Sequence, residues 1–156
     1  MPSEYESACD LLCITDELSY KTRGCSMRPL FREHRDIINI RRPVEPLKRG
    51  DVVLYPDKGG CFLILHRIIS VKGDNLLIRG DNNYNFNEHR TADEVVGVMT
   101  SFFREGKYCD VKKSKRYKLY TFWILHSYPL RWLWKCAVRP TLGKIKRLIF
   151  KPKNPD

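Results

Sequence analysis

Between residues 36 and 111 the chain repeats one pattern, short apolar and β-branched runs bounded by Gly, Pro and Asn. Asp36 to Arg41 alternates and predicts a strand, which Pro43 and Pro46 end. Lys48-Arg49-Gly50 turns into Asp51 to Tyr55, and Pro56 with Gly59-Gly60 closes that run. Phe62 to Val71 is the longest run and reads as a strand buried on both faces, the second half of a hairpin. Gly73-Asp74-Asn75 is a hairpin turn before Leu76 to Arg79. Glu94 to Phe103 and, after Gly106-Lys107, Tyr108 to Val111 add two more strands. Strands recurring at such short intervals predict a mainly β, antiparallel architecture.

The two ends differ from this middle. Residues 1–22 carry apolar side chains at Ala8, Leu11 and Leu12, with Tyr5 in the same register, which predicts a short amphipathic helix. Between Lys112 and Lys153 there are 13 Lys or Arg and no Asp or Glu, against 16 basic and 18 acidic residues elsewhere, so the net charge of +11 belongs to the tail. Leu130, Leu133, Trp134, Ala137 and Val138 are spaced for one helical face, and Arg131, Lys135 and Arg139 recur every fourth residue on another. Pro140 ends or kinks this helix, and residues 142–151 suggest a second. The expected division is a body at 1–111 and a basic amphipathic tail at 112–156. At 156 residues the chain holds one domain's worth of core. Its 42% hydrophobic and 30% charged content is that of a folded protein rather than a disordered one.

No stretch supplies the roughly 20 apolar residues that cross a bilayer, and no secretory apolar region opens the chain. A peripheral membrane or cytoplasmic location is expected. Six scattered cysteines and four histidines form no zinc spacing, so neither a metal nor another cofactor is expected, and reduced thiols are.

Three residues suggest chemistry. Ser26 lies on a punctuated turn, Gly24-Cys25-Ser26-Met27-Arg28-Pro29, with Pro29 placed to start a turn or short helix through Phe31. A serine hydroxyl needs a neighbouring base to become a nucleophile. His66, conspicuous inside an apolar strand, is the candidate, since a neutral imidazole accepts a proton near neutral pH. Asp81 follows a strand in the turn Gly80-Asp81-Asn82-Asn83 and could orient the ring as the third member of a triad. Backbone N–H groups at the Ser26 turn, including that of Ser26, could hold an oxyanion.

Ser26-Met27-x-Pro29, then Gly50-Asp51-Val52-Val53, His66-Arg67 and Gly80-Asp81-Asn82-Asn83, in that order and over residues 22–103, resemble the type I signal peptidase family and its serine-histidine branch. The resemblance implies a signal-peptidase-like antiparallel β fold. It implies a serine endopeptidase acting on signal or leader peptides with small residues before the cut, and Met27 and Pro29 beside the substrate. Two departures stand out. Cys25 occupies a position usually held by a small residue, and so is itself an alternative nucleophile. The branch's further aspartate is absent where this chain reads Tyr84-Asn85-Phe86-Asn87-Glu88-His89, so the acid that orients His66 is Asp81, Glu88 or none.

The partners expected are a peptide or precursor-protein substrate, bound as an added strand near Ser26, and an anionic membrane surface met by residues 112–153. Nucleic acid is disfavoured, because no recognition motif accompanies the charge. The alternative for the tail is packing on the body with its lysines directed outward. The alternative for the whole is an inactive peptide-binding or membrane-surface adaptor.

Overall fold

A computed structural model describes residues 4–84 and 86–141 of the chain. The helix α1 (Glu4–Thr15) leads into β1 (Glu17–Lys21), and then follow β2 (Ile37–Arg41), β3 (Val52–Pro56), β4 (Leu63–Lys72), β5 (Asn75–Arg79), β6 (Glu88–Thr91), β7 (Gly97–Arg104) and β8 (Lys107–Asp110). All pairings are antiparallel, in the order β1-β2-β7-β3-β4-β5-β6, with β8 also on β7. The mainly β, antiparallel expectation is what the chain adopts.

β3 explains how one sheet carries two cores. Its side chains alternate, as the two-residue period of a strand requires. Val52 and Leu54 join Met27, Phe31, Ile38, Ile40, Met99 and Phe102 on one side. Val53 and Tyr55 join Ile68, Leu76, Ile78 and Val95 on the other. Four consecutive residues of β3 are therefore buried. β4 alternates between the same two environments, so neighbours His66 and Arg67 project to opposite sides.

Two strands were not expected. β1 lies in the stretch read as helical, and β6, Glu88-His89-Arg90-Thr91, contains no apolar residue. β6 pairs with Asn75–Ile78 of β5 and is a strand through its partner rather than its own propensity. Glu94, expected inside a strand, turns the chain instead: its carboxylate accepts the N–H of Thr91 at 2.7 Å, over the 3₁₀ turn Ala92–Glu94.

The tail begins as part of the body. α2 (Lys115–His126) is capped by Ser114, whose Oγ accepts the N–H of Tyr117. Tyr117 and Ile124, seven apart, are buried, and each such side chain contributes roughly 1.5–3 kcal/mol. Thr121 and Leu125 pack so closely on Gly50 that a Cβ there would sit 3.1 Å from Thr121 Cγ2, and the left-handed φ of +100° at Gly50 favours glycine independently. Tyr117 is buried and Tyr120 half-buried, so both face the body. α3 (Tyr128–Leu133), with Pro129 in its first turn, runs into a π-helical turn at Trp134–Val138 instead of one regular helix. The second tail helix expected at 142–151 lies outside the described residues. No helix among the described residues is long and apolar enough to cross a membrane.

Candidate active site

Of the turn or short helix expected after Ser26, the chain forms tight turns. The N–H of Arg28 reaches the carbonyl of Cys25 at 3.2 Å, that of Phe31 reaches Met27 at 3.1 Å, and the Arg28–Pro29 peptide is cis. Met27 and Phe31 are buried and anchor the loop, which leaves Cys25 exposed and Ser26 half-buried. Arg104 Nη1 donates to the carbonyls of Pro29 and Leu30, which ties the far side of the loop down. Among the described residues, neither Ser26 Oγ nor the N–H of Ser26 has a hydrogen-bond partner. The hydroxyl and an amide donor remain available at the same residue.

The Gly80–Asn83 turn grips this loop. Asn82 donates its N–H to the carbonyl of Ser26 at 2.7 Å and its Nδ2 to the carbonyl of Cys25 at 3.1 Å. A Cβ on Gly80 would lie 2.7 Å from the Ser26 carbonyl oxygen and 3.0 Å from His66 Cδ2. The Ser26 backbone and the Cδ2 edge of the imidazole, which adjoins Nε2, therefore converge on a point that only glycine leaves open. The Ser26 carbonyl and the His66 ring, forty residues apart in sequence, thus face one another across Gly80.

The opposite edge of the ring is occupied. His66 Nδ1 is 2.8 Å from Tyr55 Oη, and that hydroxyl donates to Glu88 Oε1 at 2.8 Å. Glu88 Oε1 also lies 3.3 Å from Nδ1 itself. Antiparallel register explains the meeting: Tyr55 opposes Ile64, two residues before His66 on the same face, while Glu88 opposes Ile78 on the far side of β5. Arg90 Nη2 holds the other carboxylate oxygen, Oε2, at 3.3 Å.

This chain of bonds fixes the tautomer. A phenol has one proton, and here it goes to a carboxylate, which can only accept. Tyr55 Oη can then serve Nδ1 only as an acceptor, so Nδ1 carries the imidazole hydrogen and Nε2 carries the lone pair. Burial pushes His66 below the ordinary histidine pKa, with Glu88 and then Asp81 pulling it part of the way back. Burial, reinforced by Glu88, pushes the Tyr55 phenol well above its usual range, so it stays protonated. The result is a neutral imidazole whose Nε2 is a base.

Asp81 is placed otherwise than expected. Its carboxylate receives Arg67 Nε at 2.8 Å and Nη2 at 2.8 Å, a two-pronged ion pair with neither side chain exposed, and accepts Tyr120 Oη at 3.0 Å. Arg67 Nη1 reaches on to the Gly50 carbonyl, Tyr117 Oη and Thr121 Oγ1. Burial alone would lower the Arg67 pKa, and Asp81 more than reverses this. The carboxylate engaged with His66 is Glu88, and Asp81 instead locks α2 to β4 and shapes the turn that grips Ser26. Sequence reasoning kept Glu88 open but missed Tyr55, whose only signal was its place two residues from the partner of His66 in a hairpin of the right register.

A groove of about 190 Å³ opens at Ser26, with Met27, Phe31 and Leu63–Leu65 in its wall. Pro29 lies outside it, exposed, so of the two residues expected beside substrate Met27 alone lines this groove. Leu63–Leu65 pair with β3 on one edge, whereas β5 joins β4 only from Arg67 onward. Among the described residues no strand pairs with the other edge of Leu63–Leu65, and these residues line the groove. No protein-family profile and no curated protein matches the chain.

Proposed function

We propose that the chain is a serine endopeptidase of the signal-peptidase kind, removing a signal, leader or propeptide from a precursor laid along the free edge of Leu63–Leu65. Ser26 Oγ attacks the scissile carbonyl and passes its proton to His66 Nε2. The N–H of Ser26 donates to the oxyanion. The imidazolium that forms is stabilised by Glu88, directly and through Tyr55, and then protonates the leaving amine. Water, activated in the same way, releases the acyl group from Ser26.

The observation that carries this assignment is the tautomer, with Nδ1 committed to Tyr55 and Glu88 and the Cδ2 edge of the ring beside Gly80 and the Ser26 carbonyl. Catalytic hydrogen bonds often tighten only with substrate, which accounts for a Ser26 hydroxyl without a partner. The test is a fluorophosphonate probe: Ser26 is labelled in the native chain, and the label disappears in both Ser26→Ala and His66→Ala. Labelling at Cys25, or none, would favour a peptide-binding adaptor built on the same groove.

The peptidase would work at an anionic membrane surface, attached peripherally through the basic tail. Leu119, Phe122, Trp123, Leu130 and Trp134 are exposed on the described part of that tail, among its cations. An aromatic, basic face of this kind suits the lipid–water boundary.

A further inference from the structure

The Arg131, Lys135, Arg139 stripe faces a defined cavity. With Tyr84, Leu130 and Trp134 these residues wall a space of about 570 Å³ beside Asn82, and among the described residues no Asp or Glu lines it. Two of the cations are positioned by neutral oxygens. Arg131 Nη1 donates to the Asp81 carbonyl at 2.9 Å, Nη2 to the Ile124 carbonyl at 3.0 Å and Nε to Ser127 Oγ at 3.0 Å. Lys135 Nζ donates to Asn82 Oδ1 at 2.9 Å and lies 4.2 Å from the centre of the Tyr84 ring. Such bonds set the direction of a charge without neutralising it. Asp81, whose carbonyl Arg131 holds, has its carboxylate matched by Arg67.

The cavity is therefore preorganised for an anion, and its setting says which. Leu130, 70% exposed, and Trp134, 59% exposed, belong to its wall; Leu133 stands exposed on α3, and Trp123, exposed on α2, lies against Arg131. An acidic peptide side chain would satisfy the cations but would leave these apolar groups in water. An acidic phospholipid satisfies both, with its phosphate among the cations and its glycerol and first methylenes against Leu130 and Trp134. We propose that this cavity binds the phosphate of an anionic phospholipid headgroup. The proposal rests on the membrane-surface half of the reading above and not on its chemistry, so it is tested in Ser26→Ala protein.

Co-sedimentation is measured with vesicles of phosphatidylcholine and phosphatidylglycerol in equal parts, and with phosphatidylcholine alone. Lys135→Gln/Arg139→Gln should weaken binding to the mixed vesicles about tenfold more than Lys113→Gln/Lys115→Gln, which removes the same charge from exposed positions of the tail outside the cavity. Arg139→Gln alone leaves the Lys135–Asn82 bond in place and should still weaken binding more than Lys113→Gln alone, so a folding defect at Lys135 cannot mimic the result. Equal losses from the two pairs would mean diffuse attraction and overturn the site. Equal binding to both kinds of vesicle, or binding of an acidic peptide in the cavity without vesicle binding, would overturn it too. No fluorophosphonate labelling of the native chain, with vesicle binding intact in Ser26→Ala protein, would remove the peptidase and keep the lipid site.

Discussion

Two carboxylates stand near His66, and they do different work. Asp81 is sealed beneath α2, paired with a fully buried guanidinium and a tyrosine. Glu88 lies on a β6 strand with no apolar residue, touches the imidazole and its tyrosine, and is steadied from outside by Arg90. The carboxylate in the recognisable turn organises the loop that holds Ser26. The one in the unremarkable strand meets the base. A motif can therefore mark the clamp on a site while the group that sets the base's tautomer comes from a segment with little pattern of its own.

The sharpest way to break this contrast is to remove each charge in turn. Asp81→Asn keeps the shape but leaves Arg67 buried without a counter-charge, and should lower unfolding stability by about 3–5 kcal/mol in a urea titration. Its activity per folded molecule should fall far less than that of Glu88→Gln. Glu88→Gln should cost about 10²–10⁴-fold in kcat/KM, because an amide in place of the carboxylate no longer compels Tyr55 to accept from Nδ1 and no longer stabilises the imidazolium. A large stability loss in Glu88→Gln with normal activity per folded molecule would reverse the two assignments.

A smaller effect sharpens the comparison through pH. The proposed mechanism needs neutral His66, whose folded pKa burial holds below the usual value of about 6.5, so kcat/KM should be at its full value at pH 7 and fall only as pH drops through that lowered pKa. Glu88 raises the His66 pKa, so in Glu88→Gln the residual activity should persist to still lower pH. A shift of the acid limb upward in that variant would contradict the contact.

Much of the framework was legible because the β-branched runs at β2, β3, β4, β5 and β7 are closed by Gly, Pro or Asn, and turn chemistry acts locally. β6 was not, since Glu88-His89-Arg90-Thr91 becomes a strand only on the edge that Leu76–Ile78 provides. The same gap hid the site's tautomer control: His66 stood out in its strand, but Tyr55 and Glu88 reach it only through the registers of two hairpins. In the tail the spacing of Arg131, Lys135 and Arg139 was visible as a face, whereas the burial of Tyr117 and Tyr120 depends on Arg67 and Asp81 beneath them. Both tyrosines turn inward, where their hydroxyls bond the buried Arg67–Asp81 pair.

The central claim is that Tyr55 and Glu88 hold His66 with its hydrogen on Nδ1 and its lone pair on Nε2. Long-range proton–nitrogen NMR spectra of protein labelled with ¹⁵N-histidine, recorded above the His66 pKa and assigned by comparison with His66→Gln, report that tautomer directly. A protonated Nδ1 and a bare Nε2, lost in Glu88→Gln, is the predicted spectrum; a proton resident on Nε2 in the native chain would contradict the account.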